Sequence, residues 1–147
     1  HSRFLFEKKF YEERKKGIVS SSRLNEIMQE AIDIGYASSL DNASLHSWIW
    51  TPHYYITQSP FYNFPYTFGY LFALSIFAKA REKGKEFEKD YLKLLRDSGS
   101  MSTEDLVMKH LGEDITSETF WEKGIKLCVK DVEEFLKLTT SQDTMLQ

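Results

Sequence analysis

The stretch from Trp48 to Phe72, W-I-W-T-P-H-Y-Y-I-T-Q-S-P-F-Y-N-F-P-Y-T-F-G-Y-L-F, constrains this chain more than any other. Pro52 and Pro60 bias Thr51 and Ser59 away from helical backbone, so no ordinary helix runs through its first half. Trp48 to Pro60 therefore reads as irregular or extended, and Tyr54-Tyr55-Ile56-Thr57 has strand-like composition. A helix then starts near Asn63, an N-cap candidate, with Pro65 in the first turn, where its missing N–H is harmless. It continues through Tyr66, Gly69, Tyr70, Ala73, Leu74 and Phe77 to the neighbourhood of Lys83. Because it is apolar almost all round, it is expected to be buried on most sides. The same stretch holds more tyrosines beside a histidine than a core needs. A phenol hydroxyl that is buried must find a partner. A dense His/Tyr cluster is thus either a polar network inside a core or a row of donors lining a cleft.

The rest of the chain carries helical signals. Phe4, Leu5, Phe6, Phe10 and Tyr11 recur at helical spacing among Glu and Lys, and Gly17 ends that helix. Ser20, Ser21 and Ser22 offer N-caps to a second helix with an apolar face of Leu24, Ile27, Met28, Ala31, Ile32 and Ile34, closed by Gly35. Lys85 to Asp97 forms a helix burying Phe87, Tyr91, Leu92, Leu94 and Leu95. Ser102 caps a short helix that runs to Leu111 and stops at Gly112. Thr116 or Ser117 opens the last helix, with Phe120, Trp121, Ile125, Val129, Val132, Phe135 and Leu136 inward. The expected fold is all-α: about six helices over residues 1–140, packed as one unit around the helix that follows Asn63, with a tail at 141–147 that frays.

Composition narrows the function classes. With 41% hydrophobic and 28% charged residues, the 147-residue chain has the balance of one globular domain. A formal charge of −3 leaves no electrostatic footprint for nucleic acid, and Arg14-Lys15-Lys16 reads as a solvated helix end. The run from Phe68 to Ala80 is too short to span a bilayer, and no signal peptide is expected, which fits a cytoplasmic home. Cys128 falls in an apolar helical pattern and reads as a buried, inert thiol. The start at His1 in place of Met leads us to expect a piece of a larger protein.

One constellation points to chemistry. His53 lies on the approach to the helix that opens near Asn63, and Tyr62 and Tyr66 stand four residues apart across its start, so both point the same way if that turn is helical. Free N–H groups and the helix dipole favour negative charge there. One histidine and two phenols would suit an oxyanion developing during attack on a carbonyl. His46, beside Trp48 and Trp50, reads as a structural or surface histidine, and His110 as a residue placed favourably near a helix C-terminus. There is no H-E-x-x-H, no Gly-rich phosphate loop, no G-x-S-x-G elbow and no Cys/His nucleophile arrangement. The chain alone does not hold a complete catalytic apparatus.

S-P-F-Y-N-F-P-Y-T-F-G-Y-L-F-A, Ser59 to Ala73, closely resembles the C-terminal signature of the oligoendopeptidase F family, zinc metallopeptidases of the thimet-oligopeptidase type. R-F-L-F-E-K-K-F-Y-E-E-R-K-K-G, L-N-E-I-M-Q-E-A, H-S-W-I-W-T-P-H-Y-Y and T-F-W-E-K-G extend the resemblance along almost the whole chain. The resemblance implies a helical clamshell whose H-E-x-x-H zinc ligands and catalytic glutamate lie upstream of the part this chain is similar to. It implies Zn2+ in the intact parent enzyme and none bound by this chain alone. The family's proline-preceded histidine falls on Pro52 and His53, followed by Tyr54 and Tyr55, and its F-Y-x-x-x-Y pattern on Phe61, Tyr62 and Tyr66. By that resemblance, His53, Tyr66 and Tyr62 are catalytic, and His53, Tyr55, Tyr62 and Tyr66 bind substrate. The spacing between the histidine and the last tyrosine varies within the family, so the division of roles among the tyrosines stays open.

The implied function is hydrolysis of short peptides by the parent protein, to which this chain contributes one wall of the site. The implied partners are peptide substrates and the missing N-terminal part of the same protein. A helix apolar nearly all round should leave exposed apolar surface where that part packs, so self-association of the chain alone is expected. The alternative is a non-catalytic helical peptide-binding or interaction module.

Overall fold

The computed structural model describes residues 1–143, with side chains through 140. It is all-helical, with no strand among the described residues. Six helices of nine residues or more follow the expected order: α1 (Ser2–Arg14), α2 (Ser21–Gly35), α4 (Phe64–Lys83), α5 (Phe87–Asp97), α6 (Thr103–Leu111) and α7 (Glu118–Asp143). A four-residue helix, α3 (Ser47–Trp50), and two 3-10 turns, Pro52–Tyr55 and Gly84–Glu86, complete the described elements. The expected single unit divides into two compact ones, His1–Phe68 and Gly69–Gln147, with the boundary inside α4.

The first unit is built on the α1/α2 pair. Phe6, Ile27, Met28, Ala31 and Ile32 form its core, with Leu5, Phe10, Leu24, Trp48 and Tyr54 packed around them. Ser20 Oγ accepts from Arg23 N at 3.2 Å and so caps α2 as expected. Gly35 closes α2 where it meets the start of α1, and a Cβ there would stand 2.8 Å from Ser2 Cβ. The guanidinium of Arg23 then ties the pair together, reaching Glu13 of α1 at 2.7 Å and Glu26 of α2 at 2.8 Å. Trp48 Nε1 donates to Asn25 Oδ1 at 2.9 Å, which docks the following segment on α2. Ile34, expected on the inner face of α2, is exposed.

The second unit gathers Ile76, Ala78, Phe87, Leu94, Leu106, Val107, Leu111, Ile115 and Phe120. Ser102 caps α6, and Gly112 ends it in the left-handed region at φ 64°, where glycine carries no Cβ penalty. Lys79 of α4 donates to the Leu111 carbonyl at 2.6 Å and pairs with Glu113, which also takes Lys123 of α7 at 2.8 Å. Asp97 at the end of α5 holds Lys109 and His110 of α6 at 2.7 and 2.9 Å, so His110 serves the helix pair. A Cβ on Gly124 would come within 2.7 Å of Ser75 Oγ, so α7 approaches α4 backbone to backbone at that point.

Several expectations are corrected. Tyr54 and Tyr55 lie in a 3-10 turn, not a strand, because Pro52 at its start sets a helical φ. Of α4, only Ser75, Ile76 and Ala78 are buried, while Phe64, Tyr66, Tyr70 and Phe77 are exposed. Tyr91, Leu92 and Leu95 of α5 are exposed as well. On α7, Phe120 is buried, but Ile125, Val129, Val132, Phe135 and Leu136 are exposed. Cys128 is half-buried, with Tyr70 Oη 3.8 Å from its sulfur, not enclosed in a core. Helix α7 extends to Asp143, and the remainder of the tail expected to fray, 144–147, lies outside the described residues.

Candidate functional site

Two prolines and one strained residue shape the site. Pro52 begins the 3-10 turn, and Thr51 Oγ1 donates to the Ser47 carbonyl at 2.7 Å, locking α3 to that turn. The turn buries His53 and leaves Tyr54 half-buried on the first core, its ring 5.1 Å from Phe6 and its hydroxyl donating to the Arg3 carbonyl at 3.2 Å. Burial, followed by the charge of Glu7, holds the Tyr54 phenol far above its ordinary range. After Pro60 the chain reverses through Phe61, which sits in the left-handed region at φ 54°. An aromatic residue there costs roughly 1–2 kcal/mol and persists only where its surroundings enforce it.

The enforcement comes from α1. Phe4, Glu7 and Tyr11 lie on one stripe of that helix at i, i+3 and i+7. The Phe61 ring packs against Phe4 at 5.6 Å and edge-on against Tyr11 at 5.2 Å. Between those rings, Glu7 is fully buried, and its Oε1 accepts from the Phe61 N–H at 2.7 Å and from the Tyr11 hydroxyl at 2.9 Å. Burial and the hydrogen bond to Glu7 together raise the Tyr11 phenol.

With Phe61 so placed, the next residues reach His53. The Tyr62 and His53 rings are 5.3 Å apart, and the Asn63 amide nitrogen lies 2.6 Å from His53 Nε2. With Asn63 as donor, Nε2 accepts and His53 carries its proton on Nδ1. Asn63, expected as an N-cap, is a partner of the histidine. The first turn of α4 is closed by backbone alone, Phe64 N to Phe61 O at 2.9 Å and Tyr66 N to Asn63 O at 3.3 Å.

Tyr66 Oη donates to Tyr62 Oη at 3.3 Å, with the rings 5.9 Å apart, and this bond is the leading cause of a raised Tyr66 phenol. Two phenols joined in this way spend one proton between them and keep one to give away. Both side chains are exposed, Tyr62 by 52% and Tyr66 by 64%, so that proton is within reach of a ligand. The structure therefore brings His53, Tyr62 and Tyr66 together, with both phenols exposed and not enclosed in a core. Tyr55 is not part of the group, since its hydroxyl donates to the Trp48 carbonyl at 3.0 Å. His46 is exposed at the head of α3.

Sequence reasoning missed Asn63 and Glu7. Asn63 was legible only as a cap, and Glu7 only as one charge on an amphipathic helix. No group of three or more His, Cys, Asp or Glu able to hold a metal ion occurs among the described residues. The neighbours of His53 are an amide and phenols, so this chain's residues do not by themselves fit as zinc ligands. No helix among the described residues is long and apolar enough to cross a membrane. Compared with known proteins, the chain matches no family model, no curated protein and no solved structure.

Proposed function

We propose that this chain is the C-terminal part of a cytoplasmic zinc metalloendopeptidase of the oligoendopeptidase F kind, and that it supplies donors for the carbonyl of a short peptide. The observation that carries the reading is the hydrogen-bonded Tyr62–Tyr66 pair beside a buried His53, at the start of α4. A carbonyl carbon under attack places negative charge on its oxygen, and donors already aimed there stabilise that charge without reorganising. In this arrangement the phenol pair gives its remaining O–H to the oxygen. His53, oriented by Asn63, gives its Nδ1–H to the same oxygen or to the neighbouring peptide carbonyl. Burial of the His53 ring fixes its orientation, while the exposed phenols leave room for an extended peptide. The metal of such a reaction belongs to the rest of the protein, which is also the partner for the exposed faces of α4 and α7.

The test is Tyr66→Phe in the full-length protein, measured by steady-state cleavage of short peptides. Tyr66→Phe removes the hydroxyl that orients Tyr62, whose O–H is the one left for the oxygen, so kcat should fall by up to roughly 10²–10³-fold, the cost of losing a preorganised oxyanion donor. KM should change little, because the bond strengthens only as charge develops. A variant with unchanged kcat would remove Tyr66 from this role.

A further inference from the structure

Glu7 is the one fully buried charged side chain of the first unit, and the chemistry proposed above does not use it. Its Oε1 takes two donors, the Phe61 N–H and the Tyr11 hydroxyl, whereas its Oε2 is buried with no hydrogen-bond partner. A core built only for stability would not keep a carboxylate with an unsatisfied oxygen, because burying such a group is costly. What the carboxylate holds is a backbone N–H 54 positions further along the chain, on a residue in a conformation that L side chains rarely adopt. The next two residues are Tyr62 and Asn63, the neighbours of His53. Strain of this kind persists where the surrounding structure over-determines it.

We propose that Glu7 is a positioning residue: its carboxylate captures the Phe61 N–H, holds Phe61 left-handed, and thereby delivers Tyr62 and Asn63 to His53. The proposal rests on the site reading above for its meaning, but not for its geometry. Without the acceptor, Phe61 relaxes to an ordinary negative φ, and the direction of the chain through Tyr62 and Asn63 changes with it. The Asn63–His53 bond is then lost while the α1/α2 core, made by other residues of α1, persists.

The experiment uses the isotopically labelled chain and two variants, Glu7→Met and Glu7→Gln. Met has similar reach and no acceptor of comparable strength, while Gln keeps a carbonyl oxygen. Three signals are followed: helix content, the imidazole 15N shifts of His53, and hydrogen exchange of the Phe61 amide. In E7M the helix content should stay, the His53 nitrogens should move to those of an imidazole without its Asn63 bond, and Phe61 exchange should speed up by about tenfold or more, the size expected for losing a bond to a charged group. E7Q should keep the wild-type His53 shifts. A folded E7M with unchanged His53 shifts and unchanged Phe61 exchange would overturn the proposal. Should E7M fail to fold, Glu7→Leu takes its place, and unchanged His53 shifts with unchanged Phe61 exchange in that folded variant would overturn the proposal. So would a wild-type Phe61 amide that exchanges as fast as a fully solvated one. None of these signals involves peptide cleavage, so Glu7 can fail while the site reading stands, and the reverse.

Discussion

Helices α2 and α7 were read from the same kind of pattern and met opposite fates. On α2, Ile27, Met28, Ala31 and Ile32 are all buried against α1. On α7, Ile125, Val129, Val132, Phe135 and Leu136 recur at the same helical spacing, and all are exposed. The difference is not one of helix quality. Periodicity states which face of a helix seeks cover, and only the presence of a complementary surface decides whether it is covered. α2 has α1, whose Phe6 fills the space above Ile27 and Met28. α7 has a close backbone approach at Gly124 and then a run of apolar side chains left in water. α4 shows the same division along its length, with Ser75, Ile76 and Ala78 buried and Tyr66, Tyr70 and Phe77 exposed. These exposed apolar residues are the faces that the proposed reading assigns to the rest of the parent protein.

The comparison can be broken from either side. The largest expected effect is Ile27→Ala. This residue is 0% exposed, so the lost methylenes leave a cavity, and chemical denaturation should show a loss of about 2–5 kcal/mol. A loss under about 0.5 kcal/mol would mean that the α1/α2 core is not packed as described. The smallest expected effect is the pair Val132→Ser and Phe135→Ser. Serine has nearly the helix propensity of the residues it replaces, and little burial is lost, so each should change the stability of the chain by less than about 0.5 kcal/mol. Their effect should appear elsewhere, as weaker self-association in sedimentation and less binding of hydrophobic dye. A loss of several kcal/mol from either would show that α7 is covered after all.

The same logic explains how much of the molecule was legible in advance. The α-class, the order of the six longer helices, the caps at Ser20 and Ser102 and the stop at Gly112 all rest on local chemistry, which a sequence displays directly. The candidate site was legible in part. Tyr62 and Tyr66 meet as expected, although Tyr62 lies in the turn before α4 and not in the helix, and Pro52 led to His53. What could not be read depends on contacts between distant positions. Asn63 looks like a cap because Asn usually is one there, and only the approach of the Pro52–Tyr55 turn makes it a partner of His53. Glu7 looks like a solvated charge because its neighbours Lys8 and Lys9 are, and only the return of the chain at Phe61 buries it. Tyr55 was expected among the substrate-binding residues, yet its hydroxyl donates to the Trp48 carbonyl. The division of the chain inside α4 falls at Gly69, which reads in the sequence only as one small residue within a helix.

The central claim is that His53, Tyr62 and Tyr66 form a set of donors turned toward a peptide carbonyl. It is tested most directly by titrating a short end-blocked peptide into the isotopically labelled chain and mapping which side-chain signals respond. The account predicts saturable shifts at the Tyr62 and Tyr66 rings and at the His53 imidazole, weakened in Tyr66→Phe, with the α2 core residues unmoved. Saturable binding that shifts other surfaces and leaves all three residues untouched would contradict it.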